Sequence, residues 1–260
     1  MSAPDPVRIL QLTDPHLFAD TAGTLRGLNT LATLTAVVAH VARQGWPADL
    51  VAATGDLSHD EPEGAYRLFR SAVEPLGLPV LCLPGNHDIR AAMQAELAAP
   101  PFHYCAAVEN GGWLLACIDS CAEGKASGRV ADTELERLAG LLAASGRPHA
   151  AVFLHHPPVP MGSRWLDTVG LENADDFLDV VTAAGTVRTV VFGHVHQQFD
   201  RTVQGIRIIG TPSTCAQFLP GSDDFALDDK PPAYRRISLH PDGRVTTELV
   251  WLEADEQQHE

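Results

Sequence analysis

The chain has 260 residues, 45% hydrophobic and 20% charged, enough for one packed domain with a full core and too apolar for a disordered polymer. Eighteen Lys plus Arg against 33 Asp plus Glu leave a formal charge of −15, which disfavours nucleic-acid polymers and anionic membranes as partners. No run approaches the roughly 18 apolar residues of a membrane span, and no export leader is visible, so a cytoplasmic location is expected.

Short apolar runs bounded by Gly, Pro or Asp predict buried strands at 7–12, 49–53, 79–83, 113–118, 150–154 and 187–192. Between them, Leu31, Leu34, Val38 and Val41 recur at helical spacing over 30–44, with Gly45 as a stop. Thr133-Glu-Leu-Glu136 reads as a capping box opening a helix that ends near Gly146. Beyond residue 198 the pattern changes to two hairpins, one around Gln204-Gly205 and one around Pro241-Asp-Gly243. Strands alternating with helices, then hairpins, predict an α/β fold with mixed sheets. Residues 1–252 are expected to form one domain, followed by an acidic, frayed tail at 253–260. The five cysteines show no CxxC pairing and are expected to be reduced and mostly buried.

The chemistry gathers where the strands end. Asp14-Pro15-His16 follows the first, Gly55-Asp56 the second and Gly85-Asn86-His87-Asp88 the third. His155-His156 and Gly193-His194-Val195-His196 follow two later ones. In open α/β sheets this edge is where ligands bind. Imidazole nitrogen with carboxylate and amide oxygen, and no thiolate, suits Mn, Fe, Zn or Co. Asp14 and His16, two apart in a segment read as extended, would face one way, as would His194 and His196. Asp14, His16, Asp56, Asn86, one of His155 and His156, His194 and His196 supply seven donors, too many for one ion. Shared between two ions with Asp56 as bridge, they suit hydrolysis at phosphorus, and the ions offset the chain's negative charge.

The series Asp-x-His, Gly-Asp, Gly-Asn-His-Asp, His and Gly-His-x-His resembles the calcineurin-like metallophosphoesterases. Gln11-Leu-Thr-Asp-Pro-His-Leu-Phe18, Trp165-Leu-Asp167 and Thr211-Pro-Ser-Thr-Cys-Ala-Gln-Phe218 look like the bacterial class III 3′,5′-cyclic AMP phosphodiesterases. The resemblance implies two mixed β-sheets packed as a sandwich flanked by helices. It also implies two divalent transition-metal ions, Fe and/or Mn. Asp14, His16, Asp56 and His196 would hold one, and Asp56, Asn86, His155 and His194 the other. His155 is preferred to His156 because the family places its ligand two residues before a proline.

The expected reaction is hydrolysis of cyclic AMP to 5′-AMP by a metal-bridging hydroxide, with a small cyclic nucleotide as partner and a homodimer left open. His16, Asp56, Asn86, His87, His155, His194 and His196 would touch substrate. His87, with Asp88 as orienting partner, is the candidate to protonate the leaving oxygen. A glycerophosphodiesterase or broad phosphodiesterase on the same scaffold, or a non-enzymatic scaffold, are the alternatives. Trp165 and Asp167 either close over a base or merely pack a loop, and Ser213, Thr214 and Cys215 either line the pocket or form a turn. His59 reads as a solvated loop residue.

Overall fold

Alternation within the strands decides the layering. In the first strand, Val7–Leu12, Val7 and Ile9 point to one cluster of buried side chains while Leu10 and Leu12 point to another. The computed structural model, which describes residues 5–59 and 62–252, places the first cluster between two six-stranded sheets. One sheet runs in the order Val245–Trp251, Ala233–Leu239, Val7–Leu12, Leu50–Thr54, Val80–Leu83 and Phe102–Tyr104. The other runs Phe199–Val203, Ile206–Gly210, Val187–Phe192, His149–Phe153, Trp113–Cys117 and Ala107–Asn110. Each sheet contains four neighbouring parallel strands; in the first they reach the Phe102–Tyr104 edge and two antiparallel strands are added at the other edge, whereas in the second one antiparallel strand pairs at each edge. Helices Thr30–Gln44, Pro62–Val73 and Arg90–Leu97 cover the outer face of the first sheet. Asp132–Ala144 and Ala174–Ala183 cover that of the second.

The strands expected from the apolar runs are present, each within a residue or two of its expected bounds. Helix Thr30–Gln44 starts on Asn29, whose side chain accepts the Ala32 N–H at 2.8 Å, and ends on Gly45 in the left-handed region at φ 58°. The capping box at Thr133 does not form. The helix begins at Asp132 with Ala131 in the cap position, so Thr133 lies inside the first turn. Glu134 accepts the Asp119 N–H at 3.0 Å and pairs with Arg137 instead. Gln204 and Gly205 both have positive φ, 50° and 81°, as a two-residue hairpin turn of the right twist demands. The expected tail at 253–260 lies outside the described residues.

The two sheets are joined at their C-terminal edges by a buried polar relay. The Gln11 amide donates to Thr54 Oγ1 at 2.9 Å and to the Phe192 carbonyl at 3.1 Å, and its oxygen accepts from Thr211 Oγ1 at 2.6 Å. Arg235, 1% exposed, continues the relay to Thr211 Oγ1 at 2.8 Å and to the Gly210 carbonyl at 2.9 Å. A Gln11→Leu replacement keeps the volume but leaves the Thr54 hydroxyl without its donor and the Thr211 hydroxyl without its acceptor. It should cost about 1–3 kcal/mol of stability. The check is a lower urea midpoint at unchanged slope.

Candidate metal centre

The donor residues occupy short turns that leave the strand ends in unusual backbone conformations. Asp14, His16, Asp56, His194 and His196 all have positive φ, between 45° and 67°, and make up five of the eight non-glycine residues with positive φ among those described. Asp and His tolerate that region better than most side chains, but such residues cluster where a function requires them. This corrects the extended geometry expected from the sequence. Asp14 and His16 converge through paired left-handed turns around Pro15, and His194 and His196 do the same around Val195. The turns are held in register by backbone bonds from Asp14 N to Gly55 O (3.1 Å), His16 N to Asp56 O (3.0 Å) and Leu17 N to Leu57 O (3.0 Å). The close approach needs glycine. A Cβ on Gly193 would collide with Thr13 Oγ1, and one on Gly85 with the Asp56 carboxylate.

Tautomers follow from the acceptors. His155 Nδ1 donates to the Thr54 carbonyl at 2.8 Å and His196 Nδ1 to the Ala216 carbonyl at 2.7 Å. A carbonyl only accepts, so both Nδ1 atoms carry hydrogen and both rings turn Nε2 inward. His196 Nε2 meets His16 Nε2 at 3.1 Å and Asp14 Oδ1 at 3.4 Å, while His16 Nε2 lies 3.7 Å from Asp56 Oδ2. His155 Nε2 meets His194 Nδ1 at 3.2 Å, Asn86 Oδ1 at 3.3 Å and Asp56 Oδ2 at 3.4 Å. These are two foci, and both include Asp56 Oδ2. Except for half-buried Asn86, every donor is buried.

Electron-rich atoms aimed at one another out of water repel unless a cation lies between them, so the donor set fits divalent ions. Protonation agrees. Burial pushes His16 and His194 down to about 3, leaving neutral rings. Burial alone would raise Asp14 and Asp56, but His196 and His155 respectively draw them below the usual carboxylate value. For His155 burial is outweighed by Asp56, and its value rises to about 9, so the position between the carboxylates favours positive charge.

All seven expected donors therefore meet at one place, and further residues meet them there. His156 does not point away, as strand alternation would require. The strand stops at Phe153, and the His156 ring packs 4.9 Å from His155 and 4.8 Å from His194. Its Nδ1 is 2.9 Å from Ser120 Oγ, while its buried Nε2 has no partner. His87 is exposed at the mouth, with its N–H on Asp56 Oδ1 at 2.9 Å. Asp88 does not orient it. The Asp88 carboxylate accepts from the amides of Gly85, Leu57 and Ser58 and from the Tyr66 hydroxyl, so it braces the loop. His59 is not a solvated bystander. Its Nδ1 lies 3.3 Å from His16 Nδ1, and its ring stacks on His87 at 4.9 Å. Asp167 accepts the Met161 N–H at 2.6 Å and so packs a loop. Ser213, Thr214 and Cys215 form a buried turn, with Ser213 Oγ donating to the Asp14 carbonyl at 2.6 Å.

Two mixed sheets with an Asp/His/Asn centre between their strand ends define a class of protein. A model of the calcineurin-like phosphoesterase family matches residues 7–198, and the chain belongs to that family. It is similar to the 3′,5′-cyclic adenosine monophosphate phosphodiesterase CpdA of Vibrio vulnificus, at 40% identity over 95% of this chain and 90% of that protein. The proteins of the same name from Pseudomonas aeruginosa and Escherichia coli K12 are 39% and 38% identical, covering 93% and 94% of this chain and 88% and 89% of theirs. The motif resemblance to the class III branch agrees with these relatives. Among solved structures, a dimetal phosphatase from Danio rerio superposes with a TM-score of 0.67 at 15% identity, over 95% of this chain and 99% of that one. That likeness concerns the fold.

Because His155 Nε2 sits in a focus and His156 Nδ1 is turned to Ser120, the two histidines should separate in metal binding. His155→Ala should lose about one equivalent of metal per chain relative to the parent protein, and His156→Ala should lose none. Elemental analysis of the purified variants checks this, and the reverse pattern would move the ligand by one residue.

Proposed function

We propose that this chain is a dinuclear-metal phosphodiesterase that opens 3′,5′-cyclic AMP to 5′-AMP in the cytoplasm, with Fe and/or Mn as its ions. One observation carries the reading: seven side chains of metal-ligand chemistry form two foci that share Asp56 Oδ2. The relatives named above, matched over nearly their whole length, supply the substrate. Asp14, His16, Asp56 and His196 would hold one ion, and Asp56, Asn86, His155 and His194 the other. When bound, a divalent pair supplies Lewis acidity at the phosphoryl oxygens and water acidified toward neutral pH.

The chain's own groups then have separable tasks. Thr54 and Ala216, through their carbonyls, keep His155 and His196 in the ligating tautomer. Asp14 and Asp56 are held ionised, so neither carboxylate carries a proton that an ion would have to displace. Asn86, His194 and the exposed His87 ring flank the place where the phosphate must lie. His87 is the exposed side chain of this group, at the mouth, 4.9 Å ring to ring from His16 and stacked on His59. It is positioned to give a proton to the departing ribose 3′ oxygen, a poor leaving group without one.

Removing metal with a chelator should abolish hydrolysis of cyclic AMP, and Mn or Fe should restore it. Asp56→Ala should lose activity far more than it loses helical signal. Full activity in protein shown by elemental analysis to be metal-free would sink the reading.

The His87 role has its own test. If His87 is the acid, His87→Ala should slow cyclic AMP hydrolysis by about 10²–10⁴-fold. It should barely affect bis(4-nitrophenyl) phosphate, whose phenolate leaves without help. Equal losses on both esters, with metal content unchanged, would leave His87 as an electrostatic contact only.

A further inference from the structure

Among the described residues, the exposed large apolar side chains are Ile89, Leu219, Phe225 and Leu227. None lies at random. Ile89 follows the Asn86–Asp88 loop, and the other three belong to the 217–228 hairpin, whose Phe218 N–H donates to the His196 carbonyl at 3.0 Å. The Phe218 ring lies flat on the imidazole of His196, 4.0 Å between centroids and 7° between planes. Phe225 meets Phe218 edge to face at 5.3 Å, and Trp165 meets each of them at 5.2 Å. Arg26 completes the group, its Cζ 4.8 Å over the Phe225 ring.

Three loops that follow donor turns or strand ends thus bring three aromatic rings and a planar cation to one flank of the metal centre. Packing alone does not explain the group, because Phe225 stays 44% exposed. The guanidinium above it shows that the ring face admits a flat group. In a chain of net charge −15, Arg26 also places a cation on this aromatic group.

We infer that Phe225, Trp165, Phe218 and Arg26 form the nucleobase platform of this site. The purine takes the Phe225 face that the Arg26 guanidinium now covers at 4.8 Å, and the guanidinium moves outward to lie on the purine's other side, while the cyclic phosphate reaches the foci beside His196. Aromatic rings and arginine planes are the groups that hold an unpaired base by its π-face. The inference rests on the cyclic-nucleotide reading above and adds the part of the chain that binds the base.

The test compares cyclic AMP with a base-free substrate, methyl riboside 3′,5′-cyclic phosphate, using the metal-loaded enzyme. Phe225→Ala should lower kcat/KM for cyclic AMP about 5- to 100-fold relative to the base-free ester, mainly through KM. Arg26→Ala should shift the same ratio in the same direction, and Phe225→Trp, which keeps a ring, should hold it within about twofold of wild type. An unchanged ratio in both alanine variants overturns the platform. So does an equal loss on the two esters, which would assign Phe225 to the fold or the metal site. If the parent enzyme cleaves other diesters but not cyclic AMP, the failure is of the functional reading itself, and the platform falls with it.

Discussion

Two carboxylates, Asp14 and Asp56, are buried within one cluster and kept ionised there, and the surrounding architecture answers the repulsion between them. Part of the answer is amide hydrogen. Asp14 accepts the His194 N–H at 3.0 Å and the Thr13 hydroxyl at 2.6 Å, and Asp56 accepts the His87 N–H. Each carboxylate is therefore tied to the backbone of another donor loop, and satisfying its charge also positions the next ligand. The other part is backbone strain. Left-handed conformations at non-glycine residues cost of order 1–3 kcal/mol each and persist only where their surroundings over-determine them. Here the loop-to-loop bonds and the turn at Ser213 supply that determination.

Asp88 shows the same constraint one layer out. It is a third acid near Asp56, pushed up to about 6 by burial and by the Asp56 charge. Its several amide and hydroxyl donors hold the loop that carries Asn86 and His87. The sequence placed Asp88 beside His87 and invited a catalytic pair, but neighbours in a tight turn point apart. The carboxylate faces inward to the Tyr66 hydroxyl, and the imidazole faces out.

What could be read in advance divides along the range of the interactions. Strands and the Thr30–Gln44 helix were legible because their signals are local: apolar runs, a side-chain cap, a glycine stop. The seven donors were legible because their residue types recur after strands in a fixed order. The left-handed turns were not, since an Asp-x-His extended or turned reads the same as text. Nor were His156, His59 or Gln11. Their importance comes from partners 36 to 200 residues away, Ser120, His16 and Thr211, which no periodicity links to them. Phe218 was visible within the Thr211–Phe218 stretch, but its contact with His196 appears only once the hairpin folds back.

Each focus draws on both sheets. Asp14, His16 and Asp56 come from the sheet that contains Val7–Leu12, and His196 from the sheet that contains Val187–Phe192. Asp56 and Asn86 in the second focus again belong to the former, and His155 and His194 to the latter. Neither sheet carries all the donors of a focus, so the centre forms only when the interface between them is closed. Ions bound there stabilise the docked arrangement by mass action, because the separated sheets offer at most three donors to either focus. The inter-sheet core and the chemistry at its edge are thus coupled: apolar packing between the sheets brings the donors together, and a cation bound by them would hold the sheets in the register that the core selects.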